Sequence, residues 1–353
     1  MKRYIALLLC VSVVFGFSAC GKNRGGELDE EKFDYETLAE TGEVVESGEQ
    51  DGFIYHSLSD GTVTVSRYTG DAERVELPAE INGAAVATVG DGAFMGNENV
   101  TEVVLPQSVV SVGTEAFSGC TALQNIVWGD SVSYVGGRAF AETPYYLNNT
   151  DEFFCVGGGV LLRYGGSDAE VTVPENIKCI SGAFEDNAMV SKVVLPEGLT
   201  HISSFAFTSC ISLKEINFPE SLLHIGERAF AKCVSLPEII LPDSVMEIGK
   251  MSFLYCTSAT TLQLSRRLSQ IPVSAFQSCT GIESLEIPES VKKIDEQAFL
   301  RCKELREVIV PDSVEEIKEL AFSNCSPELV IICGESSPAK AFCELYSIGW
   351  KEN

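Results

Sequence analysis

One pattern recurs through most of this chain and limits what it can fold into. Residues 196–218 read Pro-Glu-Gly-Leu-Thr-His-Ile-Ser-Ser-Phe-Ala-Phe-Thr-Ser-Cys-Ile-Ser-Leu-Lys-Glu-Ile-Asn-Phe, and the blocks beginning at Pro219, Pro242, Ser265, Pro288 and Pro311 repeat it. The marker is the second residue of Ala-Phe or its equivalent: Phe94, Phe117, Phe140, Phe184, Phe207, Phe230, Phe253, Phe276, Phe299 and Phe322. Successive markers lie 23 residues apart, except for a gap of 44 between Phe140 and Phe184. A unit this short cannot bury its own apolar face. Copies at a fixed period must therefore stack into a solenoid with one continuous core. A length of 353 residues would otherwise suggest two ordinary domains.

Within a repeat, Leu213, Ile216 and Phe218 point inward, and the residues flanking Ile216 point outward, as strand alternation requires. Pro219 ends the strand because it has no N–H to donate. Leu222, Ile225, Phe230, Cys233 and Leu236 then turn inward on the way round. The outward pairs are Glu102 with Val104, Asn125 with Val127, Lys192 with Val194, Glu215 with Asn217, Glu238 with Ile240, Thr261 with Gln263, Ser284 with Glu286, and Glu307 with Ile309. They should form a concave parallel sheet. Val104, Val127, Val194, Asn217, Ile240, Gln263, Glu286 and Ile309 are its candidate ligand-binding residues. Five of these are apolar where water is expected. Two explanations stand: an interaction surface, or the β-propensity of Val and Ile on an exposed strand.

The solenoid is expected over residues 53–335. Alternating Val63 and Val65 beside Gly61 suggest an atypical first unit that covers the open end, and Asn82-Gly83 is a hairpin turn signal. The gap of 44 hides a divergent unit, residues 144–173. Its apolar runs around Phe153, Val160-Leu161-Leu162 and Val171 read as strand, turn, strand, strand. Gly157-Gly158-Gly159 is not a phosphate loop, since no Lys-Ser/Thr follows it. Residues 336–353 form a cap: Ser337 before Pro338 starts a short helix that Gly349 is expected to stop.

Ahead of the repeats, Lys2 and Arg3 precede an apolar run over residues 5–17 and a Phe-Ser-Ala-Cys sequence ending at Cys20. Residues 1–19 read as a signal peptide, too short to span a membrane. Cys20 is a lipidation candidate, with plain cleavage near Ala19 as the alternative. Residues 20–52 hold eleven acidic residues against Lys22, Arg24 and Lys32 and show no sustained period. Such a stretch reads as a disordered tether.

Formal net charge is −26. That argues against nucleic acid and anionic lipid as partners, because both demand clustered Lys and Arg. Of thirteen cysteines, Cys120, Cys210, Cys233, Cys256, Cys279, Cys302 and Cys325 each sit three residues after a marker. They should form a buried column of packed thiols with parallel Cβ vectors, unsuited to disulfides. Cys333 and Cys343 flank the terminal cap, where a pair is one alternative. His201 and His224 should neighbour one another in a column continued by Glu247, Gln270, Lys293 and Glu316, an ordinary solvated pattern. No C-x-x-C, Gly-x-Ser-x-Gly or His-Glu-x-x-His motif occurs. No metal, cofactor or catalytic residue is expected.

The pattern Leu-x-x-Ile-x-Leu-Pro-x-Ser-Val-x-x-Ile-Gly-x-x-Ala-Phe-x-x-Cys resembles the BspA-type bacterial leucine-rich repeat, related to the treponemal kind, over about residues 53–350. Tyr68-Thr69-Gly70-Asp71, Ile81-Asn82-Gly83 and Leu161-Leu162-Arg163-Tyr164 resemble its first repeats and its interruptions. The resemblance implies a surface-exposed bacterial protein of a family with members linked to adhesion or matrix-protein binding. The expectation is a lipid-anchored module that binds a protein or glycan, touching the membrane only through its anchor. The alternative is a structural envelope protein used for spacing or self-association.

Overall fold

The computed structural model describes residues 42–353; the expected signal peptide, Cys20 and the part of the expected tether up to Thr41 lie outside the described residues. Each coil carries two short strands. The first, as in Glu238–Ile240 and Thr261–Gln263, buries its middle residue and pairs in parallel with the next coil at an offset of 23, forming a front ladder. The second, as in His201–Ile202 and His224–Ile225, pairs likewise and forms a side ladder that the sequence reading had not separated from the turn.

A third ladder closes the coil. The amide of Phe207 donates to the Ala229 carbonyl at 2.7 Å, and that of Phe253 to Ala275 at 2.8 Å. This works because residues two before and two after a marker adopt left-handed backbone, including Glu115, Arg138, Phe205, Arg228, Ser209 and Lys232. Such residues cost roughly 1–2 kcal/mol each. They persist because the bonds between coils over-determine them.

The marker rings stack face to face. Phe207 and Phe230 lie 5.0 Å apart at 5°, and Phe230 and Phe253 5.2 Å apart at 3°. The cysteine column is present, buried and reduced, apart from a half-buried Cys325. Each thiol also donates to the marker carbonyl of the preceding coil, as Cys233 does to Phe207 at 3.1 Å. Cys333 and Cys343 are free thiols.

The first unit is a hairpin, Phe53–Leu58 with Thr62–Tyr68, whose second strand continues in parallel into Ala84–Val89. One expectation is corrected here. Residues 44–50, assigned to the tether, form the strand Val44–Gln50, which pairs antiparallel with Phe53–Leu58. The strand is almost wholly exposed, so backbone hydrogen bonds hold it rather than apolar burial, and an apolar pattern could not reveal it.

The divergent unit contains the expected strands Phe153–Val156, Val160–Tyr164 and Glu170–Thr172, and also a four-residue helix, Pro144–Leu147. Its second strand is buried on both sides. Val160 and Leu162 join a core that begins at Phe53, while Leu161 and Tyr164 join a second core that runs to Cys343. This strand is a wall between two cores. The last coil of the first segment does not continue the side ladder onto it. Instead, that coil lies across two rungs of the second segment. Ser203 Oγ donates to the Val135 carbonyl and Ser181 Oγ to the Gly136 carbonyl, both at 2.8 Å. A Cβ on Gly137 would strike the Ser204 carbonyl.

At the far end, Pro338–Tyr346 is helical with Ser337 as its N-cap, as expected. Gly349 does not stop it. Ser347 does so in left-handed conformation, and Gly349–Glu352 adds a last parallel strand beside Val330–Cys333.

Candidate binding surfaces

The front ladder fixes the outward residues in rows. Val104 lies directly beside Val127, Ile240 beside Gln263, and Glu286 beside Ile309. Val194 is flanked by Thr172 and by Asn217. Val127, Val194 and Ile240 are 44%, 39% and 42% exposed, whereas Val104 and Ile309 are half-buried. The eight candidates do not make one continuous stripe. The ladder breaks after Asn125–Val127 and resumes at Glu170–Thr172, and its strand pairing lapses again after Glu215–Ile216 and after Thr261–Gln263. The candidates therefore fall into four pairs: Val104 with Val127, Val194 with Asn217, Ile240 with Gln263, and Glu286 with Ile309. Asn217 is engaged by the fold itself: its amide accepts from the Leu195 N–H at 2.7 Å and donates to the Leu195 carbonyl at 3.0 Å. Of the other outward positions, Asn125, Thr261 and Ser284 are neutral and the rest carry charge, with Lys192 against Glu215 at 2.7 Å and Arg74 against Glu102 at 2.9 Å. Exposed pairs of this kind contribute about 0–1 kcal/mol.

His201 and His224 neighbour one another as expected, stacked at 5.0 Å and 7°. Their surroundings differ from the solvated pattern read from the sequence. Tyr134 of the first segment covers His201 edge-on at 5.7 Å. Burial, then the neighbouring His224, lowers the His201 pKa to about 4. His224 Nδ1 lies 3.4 Å from the Glu247 carboxylate. Among the described residues, no group of three or more His, Cys, Asp or Glu is placed to hold a metal ion. No helix there is long and apolar enough to cross a membrane.

The family model for the BspA type leucine-rich repeat region matches residues 86–151, 177–306 and 223–345, with six copies. The chain belongs to this family. The BspA-type matches leave out residues 152–176, where the second hairpin forms the wall. Among solved structures, the chain is similar to a leucine rich cell surface protein of Faecalibacterium prausnitzii, at 24% identity over 86% of this chain and 97% of that one, with a TM-score of 0.36. A leucine-rich repeat protein of Bacteroides ovatus is 23% identical over 87% and 99%, with a TM-score of 0.33. The T. pallidum leucine-rich repeat protein is 21% identical over 87% and 98%, with a TM-score of 0.27. No curated protein matches the chain.

The sequence reading missed a cleft beside the break in the front ladder, where Gln124 meets Pro144, Tyr145 and Asn148. Counting 23 onward from Asn125–Val127 gives residues 148–150, Asn-Asn-Thr, without the apolar middle residue of a buried strand. That departure is the signal that could have found it.

Proposed function

We propose that this BspA-type chain is exported, anchored by lipid at Cys20 to the outer face of a bacterial membrane, and acts there as an adhesion-type binding module. The front ladder recognises the partner, an extracellular or host protein or a glycan. The observation that carries this reading is the exposure of the apolar Val127, Val194 and Ile240 on a backbone fixed by parallel pairing. A rigid sheet loses little conformational freedom on binding, which favours affinity at a modest contact area. The net charge of −26 argues for a protein or neutral glycan over nucleic acid.

Binding to a panel of matrix proteins and cell-wall glycans tests the reading. Val127→Glu combined with Ile240→Glu abolishes binding and leaves far-UV circular dichroism and melting nearly unchanged, because both side chains lie outside the core. Retained binding in that variant disproves the front-ladder assignment. Cys20→Ala abolishes partitioning into detergent; unchanged partitioning with normal processing disproves the anchor.

A further inference from the structure

The break in the front ladder leaves an opening with its own chemistry. Asn125–Val127 pairs with Glu102–Val104 on one side and ends its sheet on the other. The helix Pro144–Leu147 occupies part of the missing rung. A cleft of about 620 Å³ remains, lined by Gln124, Pro144, Tyr145, Asn148, Asn149 and Phe154.

Tyr145 is held firmly. Trp128 Nε1 donates to its hydroxyl oxygen at 2.8 Å, and the rings of Phe140 and Phe154 lie 5.4 Å and 5.3 Å from it. Burial pushes the Tyr145 pKa up to about 12, so the oxygen that accepts from Trp128 keeps a proton to donate. Gln124 and Asn148 are exposed at the rim. Each offers a donor and an acceptor in one plane. Asn149 shapes the loop: its side chain accepts from the Asp151 N–H at 2.9 Å, and its carbonyl accepts from Arg163.

No lining side chain carries a charge, in a chain of net charge −26. An anionic ligand finds no cation in the cleft and a repelling field around it. A cationic ligand finds no carboxylate among the lining residues, and the Asp151 carboxylate beside them already accepts from Asn149 Nδ2 at 3.2 Å. A wholly aliphatic ligand would cover the rim amides without bonding them, which is costly. A sugar ring meets every feature, with C–H faces for the aromatic wall and hydroxyls for the planar amides. We propose that this cleft is a subsite for a neutral glycan, with a hexose ring seated against Tyr145 and Pro144 and its hydroxyls bonded by Gln124 and Asn148. Pockets for small ligands run about 300–1,000 Å³, so this one suits one or two rings. The subsite is separate from the front-ladder surface, and either can fail without the other.

The chain has two tryptophans, and Trp350 lies in the C-terminal strand, so Trp350→Phe leaves Trp128 as the reporter beside the cleft. The full chain carrying that change is titrated with cellotetraose, maltotetraose and chitotetraose, and with oligogalacturonate as the anionic counterpart. At least one neutral tetrasaccharide gives a saturable change in Trp128 emission, and oligogalacturonate gives none. Gln124→Ala and Asn148→Ala each weaken binding roughly fivefold to tenfold without altering the melt, as loss of one hydrogen bond predicts. Val194→Glu combined with Ile240→Glu leaves it unchanged. No saturable change with any of the three neutral sugars up to about 10 mM overturns the proposal. So does full-strength binding in the Gln124→Ala, Asn148→Ala double variant, or equal binding of oligogalacturonate.

Discussion

Residues 53–147 and 153–346 are built to the same plan at different lengths. Each segment opens on a hairpin whose second strand ends in tyrosine. Phe53 and Tyr68 lie 5.1 Å apart at 41°, and Phe153 and Tyr164 lie 5.3 Å apart at 45°. Each tyrosine then stacks on the first marker, Tyr68 on Phe94 at 5.0 Å and Tyr164 on Phe184 at 5.3 Å. In both first coils the cysteine position holds asparagine, and the side chains of Asn97 and Asn187 accept from two backbone amides of the turn that follows. Each ring column ends edge-on against an aromatic of a helix capped by a hydroxyl before proline: Tyr145 after Thr143-Pro144, and Phe342 after Ser337-Pro338. The divergent unit is thus no decayed repeat. It is the end cap of one solenoid joined to the start cap of the next. The segments differ in how their hairpins are used. The first, edged by the strand Val44–Gln50, closes one core only, whereas the second is shared between two cores. A shared wall lets the first segment stop after three markers with a helix of only four residues.

The largest effects should come from the long segment. Phe253→Ala costs about 3–5 kcal/mol, as for large core truncations. Phe94→Ala, one ring from the first hairpin, costs less. Equal losses in thermal melts would show that distance from a cap does not matter. At the wall, Leu161→Ala and Leu162→Ala each cost about 2–4 kcal/mol. Amide exchange should separate them: Leu161→Ala lowers protection mainly after residue 164, and Leu162→Ala mainly before residue 147. Identical exchange maps would dissolve the two-core description.

Smaller changes probe the join. Gly137→Ala drives a methyl group into the Ser204 carbonyl and costs about 1–3 kcal/mol; an unchanged melt would mean that the segments do not press together there. His201 gives the join a pH dependence. Its folded pKa, about 4, lies below the ordinary histidine value, so the unfolded chain binds more protons between about pH 4 and 6.5. Its contribution to stability is full above that window and is lost as pH falls through it. His201→Gln removes that part of the slope, and parallel melts at pH 7 and pH 5 check it. The smallest effect is in the thiol column. Cys256→Ala removes one donor to the Phe230 carbonyl and costs about 1 kcal/mol. Alkylation should reach the exposed Cys155 while the buried column from Cys120 to Cys302 stays unlabelled in the native chain.

The period made the coil, its inward residues and the cysteine column legible, because each is a local pattern repeated at fixed spacing. The side ladder was harder to see. Its strands are only two residues long, and pairing between coils rather than propensity makes them strands. Val44–Gln50 left no apolar trace, and neither did the left-handed positions, which hold Glu115, Arg138 and Phe205 alike. The covering of His201 by Tyr134 depends on contacts between residues 67 positions apart, which no window of sequence contains. Among the site candidates, alternation correctly turned Val127, Val194 and Ile240 outward. It could not show that Asn217 bonds its neighbouring coil, nor that the ladder breaks beside Val127.

The wall strand separates two properties that a simple stack would merge. The number of rungs after Tyr164 sets how far the second arm reaches, and deleting 23 residues between Phe207 and Phe276 should shorten it while leaving both caps intact. The direction of that arm is set elsewhere, by Val160–Tyr164 and the small residues Gly136, Gly137, Ser181 and Ser203 packed beside it. Reach can therefore drift by whole-repeat gain or loss within a lineage while aim stays fixed, and a third arm would require only another Thr-Pro helix followed by another hairpin.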